Sequence, residues 1–196
     1  TPLYSSAASD VYKRQVLLQG SICVGDFQGT HVLRFHGDVR VNQCASLDAY
    51  CDRMLRDPSF HAVVVDLQST ENLDSTTLGC LARLSIRAKR LNQRVPTLIC
   101  DSDNLHRVLS SMGFQDVFMI VDRAAYDALS LPALPDGIEL PAGTDLAMES
   151  TRARVIAAHK QLMAMNAQNA ETFKDLVAAL ECENCAQPVC GKADAS

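Results

Sequence analysis

Apolar and polar positions follow two rhythms along the chain, one with the period of a strand and one with the period of a helix. The runs "SICVGDF" (21–27) and "HVLRFHG" (31–37) flank "QGT", whose glycine suits a tight connection, and together they predict a β-hairpin. From Asn42 to Arg56, the positions of Leu47, Tyr50, Cys51, Met54 and Leu55 have helical spacing, and Pro58 cannot continue the helix. "HAVVVDLQ" (61–68) is an unbroken β-branched run, the pattern of a central strand buried on both faces. Leu78, Leu81, Leu84, Ala88 and Leu91 then mark an amphipathic helix from Ser75 to about Leu91. A strand "VPTLICD", a short helix "DNLHRVLSSMGF" ended by Gly113, a strand "VFMIV" and a helix near Asp122 to Leu129 complete the series.

The order β, β, α, β, α, β, α, β, α predicts an α/β fold with a mixed β-sheet, in which strand–helix–strand units place parallel neighbours side by side with helices packed over them. This domain is assigned to residues 16–131. Residues 132–150, with Pro132, Pro135, Pro141, Gly137 and Gly143, read as a linker. A helical pattern returns over 151–181 through Ile156, Met163, Ala170, Phe173, Val177 and Leu180, diluted by His159, Asn166 and Asn169. That helix is too polar for a core element and is expected to dock on the domain, on a partner, or on its own copy in a homodimer, since isolated helices of this quality are marginal in water. Residues 1–15 resemble a translated cloning adapter and are expected to form a non-native, disordered leader. Residues 182–196 read as a flexible, cysteine-containing tail.

Composition narrows the function. A net charge of -5 and no tryptophan give no sign of the basic surface that phosphate neutralisation requires, which argues against nucleic acid. No apolar run approaches the roughly 18 to 20 residues of a membrane span, so a soluble, cytoplasmic protein is expected, with no membrane partner. Cys23, Cys44, Cys51, Cys80 and Cys100 stand singly among apolar residues and read as buried thiols. Cys182, Cys185 and Cys190 form C-x2-C-x4-C, a weak candidate for a soft metal because a zinc site normally takes four ligands. His31, His36, His61, His106 and His159 are scattered, with no histidine obviously beside a nucleophile, and there is no G-x-S-x-G elbow or phosphate-binding loop. No enzyme and no cofactor are expected.

The chemistry concentrates in "ENLDSTTLG" (71–79), where three hydroxyls follow an acidic residue at the start of the long helix. The first four N–H groups of a helix lack intrahelical partners, so Asp74 at the N-cap can accept from one and meet the positive end of the helix dipole. Ser75 at the next position sits where a phosphate would be well received. Gly79 lies one turn beyond, about 40° round the helix, and either opens access to the hydroxyl or packs closely against a neighbour. Arg83, Arg87, Arg90 and Arg94 form a basic stripe that is either a solvated face or a rim steering an acidic partner.

The stretch "VVVDLQSTENLDSTTLGCLARL", followed by "RAKRLNQRVPTLICDSDNLHRVLSSMGFQDVFMIV", resembles the STAS domain, the fold of bacterial anti-sigma factor antagonists, over roughly Ser21 to Leu131. The chain is most similar to stand-alone, HsbA-like antagonists with a helical C-terminal extension. The resemblance implies the STAS fold, phosphorylation at Ser75 with Thr76 as rival acceptor, and a partner surface of Asp74, Ser75, Thr76, Thr77, Gly79 and Arg83. It implies an anti-sigma factor or serine kinase and a PP2C-type phosphatase as partners, with the unphosphorylated form bound and the phosphorylated form released. Thr76 and Thr77 depart from the commonest motif, "DSSGLG". STAS domains also serve as regulatory subunits of transporters, including lipid-transport ATPase complexes, and that is the alternative implication.

Overall fold

A computed structural model of the protein describes residues 20–128, 137–142 and 148–182. The leader expected over residues 1–15 and the tail with Cys185 and Cys190 lie outside the described residues. Strands β1 (Ser21–Phe27) and β2 (Thr30–Val39) form the expected antiparallel hairpin, with Phe27 opposite Thr30. Gln28 and Gly29 turn the corner with φ of 51° and 79°, and a Cβ at Gly29 would lie 2.0 Å from the Ser59 carbonyl oxygen, so glycine alone fits there. Helix α1 (Val41–Met54) leads to β3 (Ala62–Leu73), α2 (Ser75–Asn92), β4 (Thr97–Ile99), α3 (Asp103–Ser111), β5 (Met119–Val121) and α4 (Arg123–Ala128).

The sheet runs β5-β4-β3-β2-β1 and ends on a further strand, β6 (Ile138–Glu139). β2 through β5 pair in parallel, whereas β1 is antiparallel to both of its neighbours, so the sheet is mixed. β3 is central and runs past the expected Gln68 to Leu73. Register shifts opposite Arg34–His36 and Gly37–Asp38 keep it paired to β2 along that extra length.

Alternation divides the strands between two faces. Leu33, Phe35, Val63, Val65, Leu67 and Leu98 join α1, α2 and α3 in the main core. Val32, Val64 and Ile99 point the other way and meet Tyr126 of α4 in a small second cluster. α2 contributes Leu78, Leu81, Leu84 and Ala88 to the main core at the spacing its sequence predicts, while Leu91 is exposed.

The C-terminal extension differs from expectation in two ways. β6 lies within the segment assigned as linker, because the outer edge of β1 leaves backbone groups that a passing segment can pair. The Pro141 carbonyl beside it accepts from the Ser46 hydroxyl at 2.6 Å. In place of one helix over 151–181 there are two, α5 (Met148–Met163) and α6 (Ala167–Cys182), folded as a hairpin against the domain. Asn166 starts α6, accepting from the Asn169 N–H at 2.7 Å, and Asn169 donates to the carbonyls of Met112 and Leu162 at 3.0 Å. The asparagines that dilute the apolar pattern are therefore the cap and the clamp of the hairpin. Ala158, Leu162 and Phe173 reach the main core. Among the described residues no helix is long and apolar enough to cross a membrane.

His31 is buried under the hairpin turn, its Nδ1 3.0 Å from the Tyr50 hydroxyl and its ring stacked on Phe60. Burial lowers its pKa from 6.5, against the opposing pull of Asp26 and Asp57. A histidine held neutral by the fold takes up its proton more readily when unfolded, so its contribution is present above the unfolded pKa and lost as pH falls toward the folded one. Urea midpoints should therefore fall from about pH 7 to about pH 5, and the slope should be shallower for His31→Gln than for the parent.

Candidate functional site

The site is built around the junction of β3 and α2. Asp74 is the N-cap of α2, with extended backbone, and its Oδ1 accepts from both the N–H and the hydroxyl of Thr77 at 2.8 Å. Its Oδ2 accepts from the N–H of Val41 at 2.7 Å. Val41 is the first residue of α1, whose own N-cap, Arg40, makes no side-chain capping bond. One carboxylate thus caps two helices, and its charge faces two positive helix ends. The Asp74 N–H also donates to the Val39 carbonyl at 3.3 Å, tying the junction back to β2.

Ser75 follows at the first position of α2 and is half-buried. Its Oγ lies 2.8 Å from Nε2 of His159 on α5. The other ring nitrogen, Nδ1, is 2.8 Å from the Val155 carbonyl and donates to it; in the neutral tautomer this implies, Nε2 accepts and the serine hydroxyl donates. The imidazole is 2% exposed and packs edge-on against Phe173 of α6, with centroids 4.9 Å apart. The sequence shows no histidine beside Ser75 because this one arrives from 84 positions along the chain. Its helical register with Leu162, three residues on, is the signal that could have marked it as inward-facing.

The other residues of the expected partner surface are turned to structural use. Thr77 is fully buried, its hydroxyl committed to Asp74 and lying 3.5 Å from Cys44 Sγ. Thr76 is also buried, at 5% exposure, so Ser75 presents the more accessible hydroxyl of the two. Gly79 leaves no open space. A Cβ there would lie 2.4 Å from the Ala158 carbonyl oxygen, so α5 crosses α2 at backbone contact. Arg83 is ion-paired to Asp48 of α1, and the same carboxylate holds Arg154 of α5 at 3.1 Å. Arg87 pairs with Asp52 at 2.6 Å and Arg94 Nη1 lies 2.9 Å from His61 Nε2, so much of the basic stripe is met by α1 and β3 neighbours.

Among the described residues no group of three His, Cys, Asp or Glu side chains could hold a metal. Cys182 is exposed near the end of α6, and the six described cysteines are unbridged. Burial pushes the Cys51 thiol up to about 12, leaving it protonated and unreactive at neutral pH.

The family model described as Mlab, STAS domain matches residues 26–122. This part of the chain is a STAS domain. The match ends before α5, so His159, Ala158 and Arg154 belong to the extension and not to the matched STAS domain. Solved structures similar to the chain include the anti-sigma factor antagonist SpoIIAA in its unphosphorylated form, at 14% identity and a TM-score of 0.47, over 56% of this chain and 94% of that one. They also include an antagonist from Mycobacterium paratuberculosis, at 22% identity and a TM-score of 0.46, over 57% and 92%. A third is a STAS-domain antagonist from Planctomyces limnophilus, at 19% identity and a TM-score of 0.46, over 56% and 95%. No curated protein matches the chain.

Because Asp74 caps two helices, Asp74→Ala should cost about 2–3 kcal/mol in urea unfolding, the sum of two lost caps. Asp74→Asn, which keeps one acceptor oxygen, should cost less than the alanine variant.

Proposed function

We propose that this STAS protein is a cytoplasmic anti-sigma factor antagonist that works by partner switching. It binds an anti-sigma factor when Ser75 is unphosphorylated and releases it when a serine kinase has modified that residue, a PP2C-type phosphatase restoring the first state. The observation that carries the reading is the Ser75 hydroxyl itself, half-buried at the first position of α2 and beside a carboxylate already committed to capping. A phosphate at this position meets the unpartnered N–H groups of the helix start, so the modified domain stays folded. It also adds about 1.5 to 2 negative charges next to Asp74 and Glu71, which expels a partner fitted to a neutral hydroxyl. ATP and magnesium belong to the kinase.

Catalysis by the chain itself fits poorly. Ser75 and His159 have the spacing of a nucleophile and base, but the imidazole is buried and its second nitrogen is held by a backbone carbonyl, not by a carboxylate. A substrate would have to occupy the space that α5 fills.

A second reading, a regulatory subunit of a transporter such as a lipid-transport ATPase complex, is favoured by the description of the matching family model, which names Mlab and not an antagonist.

Ser75→Ala should capture an anti-sigma factor constitutively, and Ser75→Asp should bind it about 100-fold more weakly or worse, as judged by titration calorimetry. Equal affinities would remove the switch. Co-purification of an ATPase and a permease, with no anti-sigma factor, would assign the second reading. Incubation with the cognate kinase should place phosphate on Ser75 in peptide maps, and a label on Thr76 alone would move the acceptor by one position.

A further inference from the structure

Ser75, Gly79 and Arg83 are spaced four residues apart and so form one stripe along α2. Each meets α5. Ser75 bonds to His159, the α-carbon of Gly79 lies under the Ala158 backbone, and Arg83 shares Asp48 with Arg154. The stripe that the switch would use is thus already filled, and its occupant is a segment of the same chain. A partner protein and α5 cannot hold this face together, because the Gly79–Ala158 approach leaves no room between the two backbones.

Each helix of the hairpin buries fewer side chains than α2 beneath it. The buried side chains of α5 are Ala158, His159 and Leu162, and those of α6 are Asn169, Phe173 and Val177. α2, by contrast, is buried almost continuously from Thr76 to Leu84. Met148 is 88% exposed and Leu176 42% exposed, so part of the hairpin's apolar surface stays in solvent. Segments with fewer buried apolar contacts open at lower free energy than the core of the same domain.

We propose that residues 148–182 are an intramolecular competitor for the Ser75 surface. In the closed state α5 occupies the stripe Ser75–Gly79–Arg83, and a protein partner or kinase reaches it only when the hairpin has left. Apparent affinity for any such partner is then reduced by the fraction of open molecules. The nature of the partner rests on the antagonist reading, whereas the cover itself does not.

Gly79→Ala tests the cover in the full chain. Alanine raises the helix propensity of α2, while its Cβ collides with the α5 backbone, so the substitution wedges the hairpin off without weakening the helix beneath. Ser75→Cys, in a background with Cys182, Cys185 and Cys190 changed to serine, is treated with a polyethylene-glycol maleimide, and modification is located by peptide mapping. Adding Gly79→Ala should speed labelling at Ser75→Cys about tenfold or more. Amide exchange should rise over 148–182, with β3 still protected. Equal labelling rates with and without Gly79→Ala would overturn the proposal, as would unchanged amide protection over 148–182. Should Gly79→Ala also cost β3 its protection, Leu162→Asp, which charges the hairpin's own buried face, carries the same comparison with the same two outcomes. The reagent is not a partner, so the cover can fail while Ser75→Ala and Ser75→Asp still differ in binding, and the reverse can also occur.

Discussion

The Asp74 carboxylate joins the starts of α1 and α2, and the geometry of the whole site depends on that junction. Oδ1 fixes the first turn of α2 through Thr77, and Oδ2 fixes the first turn of α1 through Val41. With both helix starts pinned to one residue at the end of the central strand, Ser75 has no freedom to shift along or around its helix. The N-terminal ends of two dipoles converge there, so the junction is also where added negative charge is best tolerated by the backbone and least tolerated by an opposing surface. The capping bonds and the proposed acceptor hydroxyl therefore lie on adjacent residues.

Packing of the extension follows from the same junction. Once α2 is fixed, its stripe of small and polar residues offers a shallow track, and α5 lies in it at backbone contact through Gly79 and Ala158. His159 then falls against Ser75, and its orientation is set by the Val155 carbonyl behind it. At the far end, Asn166 and Asn169 fasten the hairpin turn to Met112, at the corner after α3. Arg152 of α5 donates to the Leu180 carbonyl, and Lys160 pairs with Glu181 at 2.5 Å, which keep the two helices of the hairpin together. Half-exposed ion pairs of this kind hold register more than they add stability.

Residues that resemble a family's contact surface need not be exposed. Thr76, Thr77 and Gly79 stand at the positions where a partner is expected to touch, yet all three are buried, Gly79 directly under the extension. Ser75 is half-buried, with its hydroxyl bonded to His159 of the extension. Arg83 illustrates the same point for charge. Its place on a polar helix face is legible, but whether that charge is free depends on Asp48 of a different helix.

The sequence by itself determined the hairpin, the order of strands and helices, the central strand, the capping role of Asp74 and the buried stripe of α2. Each of these is decided within a few residues, by turn stereochemistry, by side-chain period or by a cap closing on the next turn. The start of α6 is not among them, because the apolar period running through Asn166 suggests one continuous helix, although asparagine is a favoured N-cap. Only the tertiary structure decided that β6 pairs with the edge of β1, that α5 crosses α2 at Gly79, and that His159 meets Ser75. These contacts join residues far apart in the chain, Ser75 with His159 and Cys23 with Glu139. They depend on which faces remain uncovered once the domain has collapsed, and the spacing of residues along the chain does not record that.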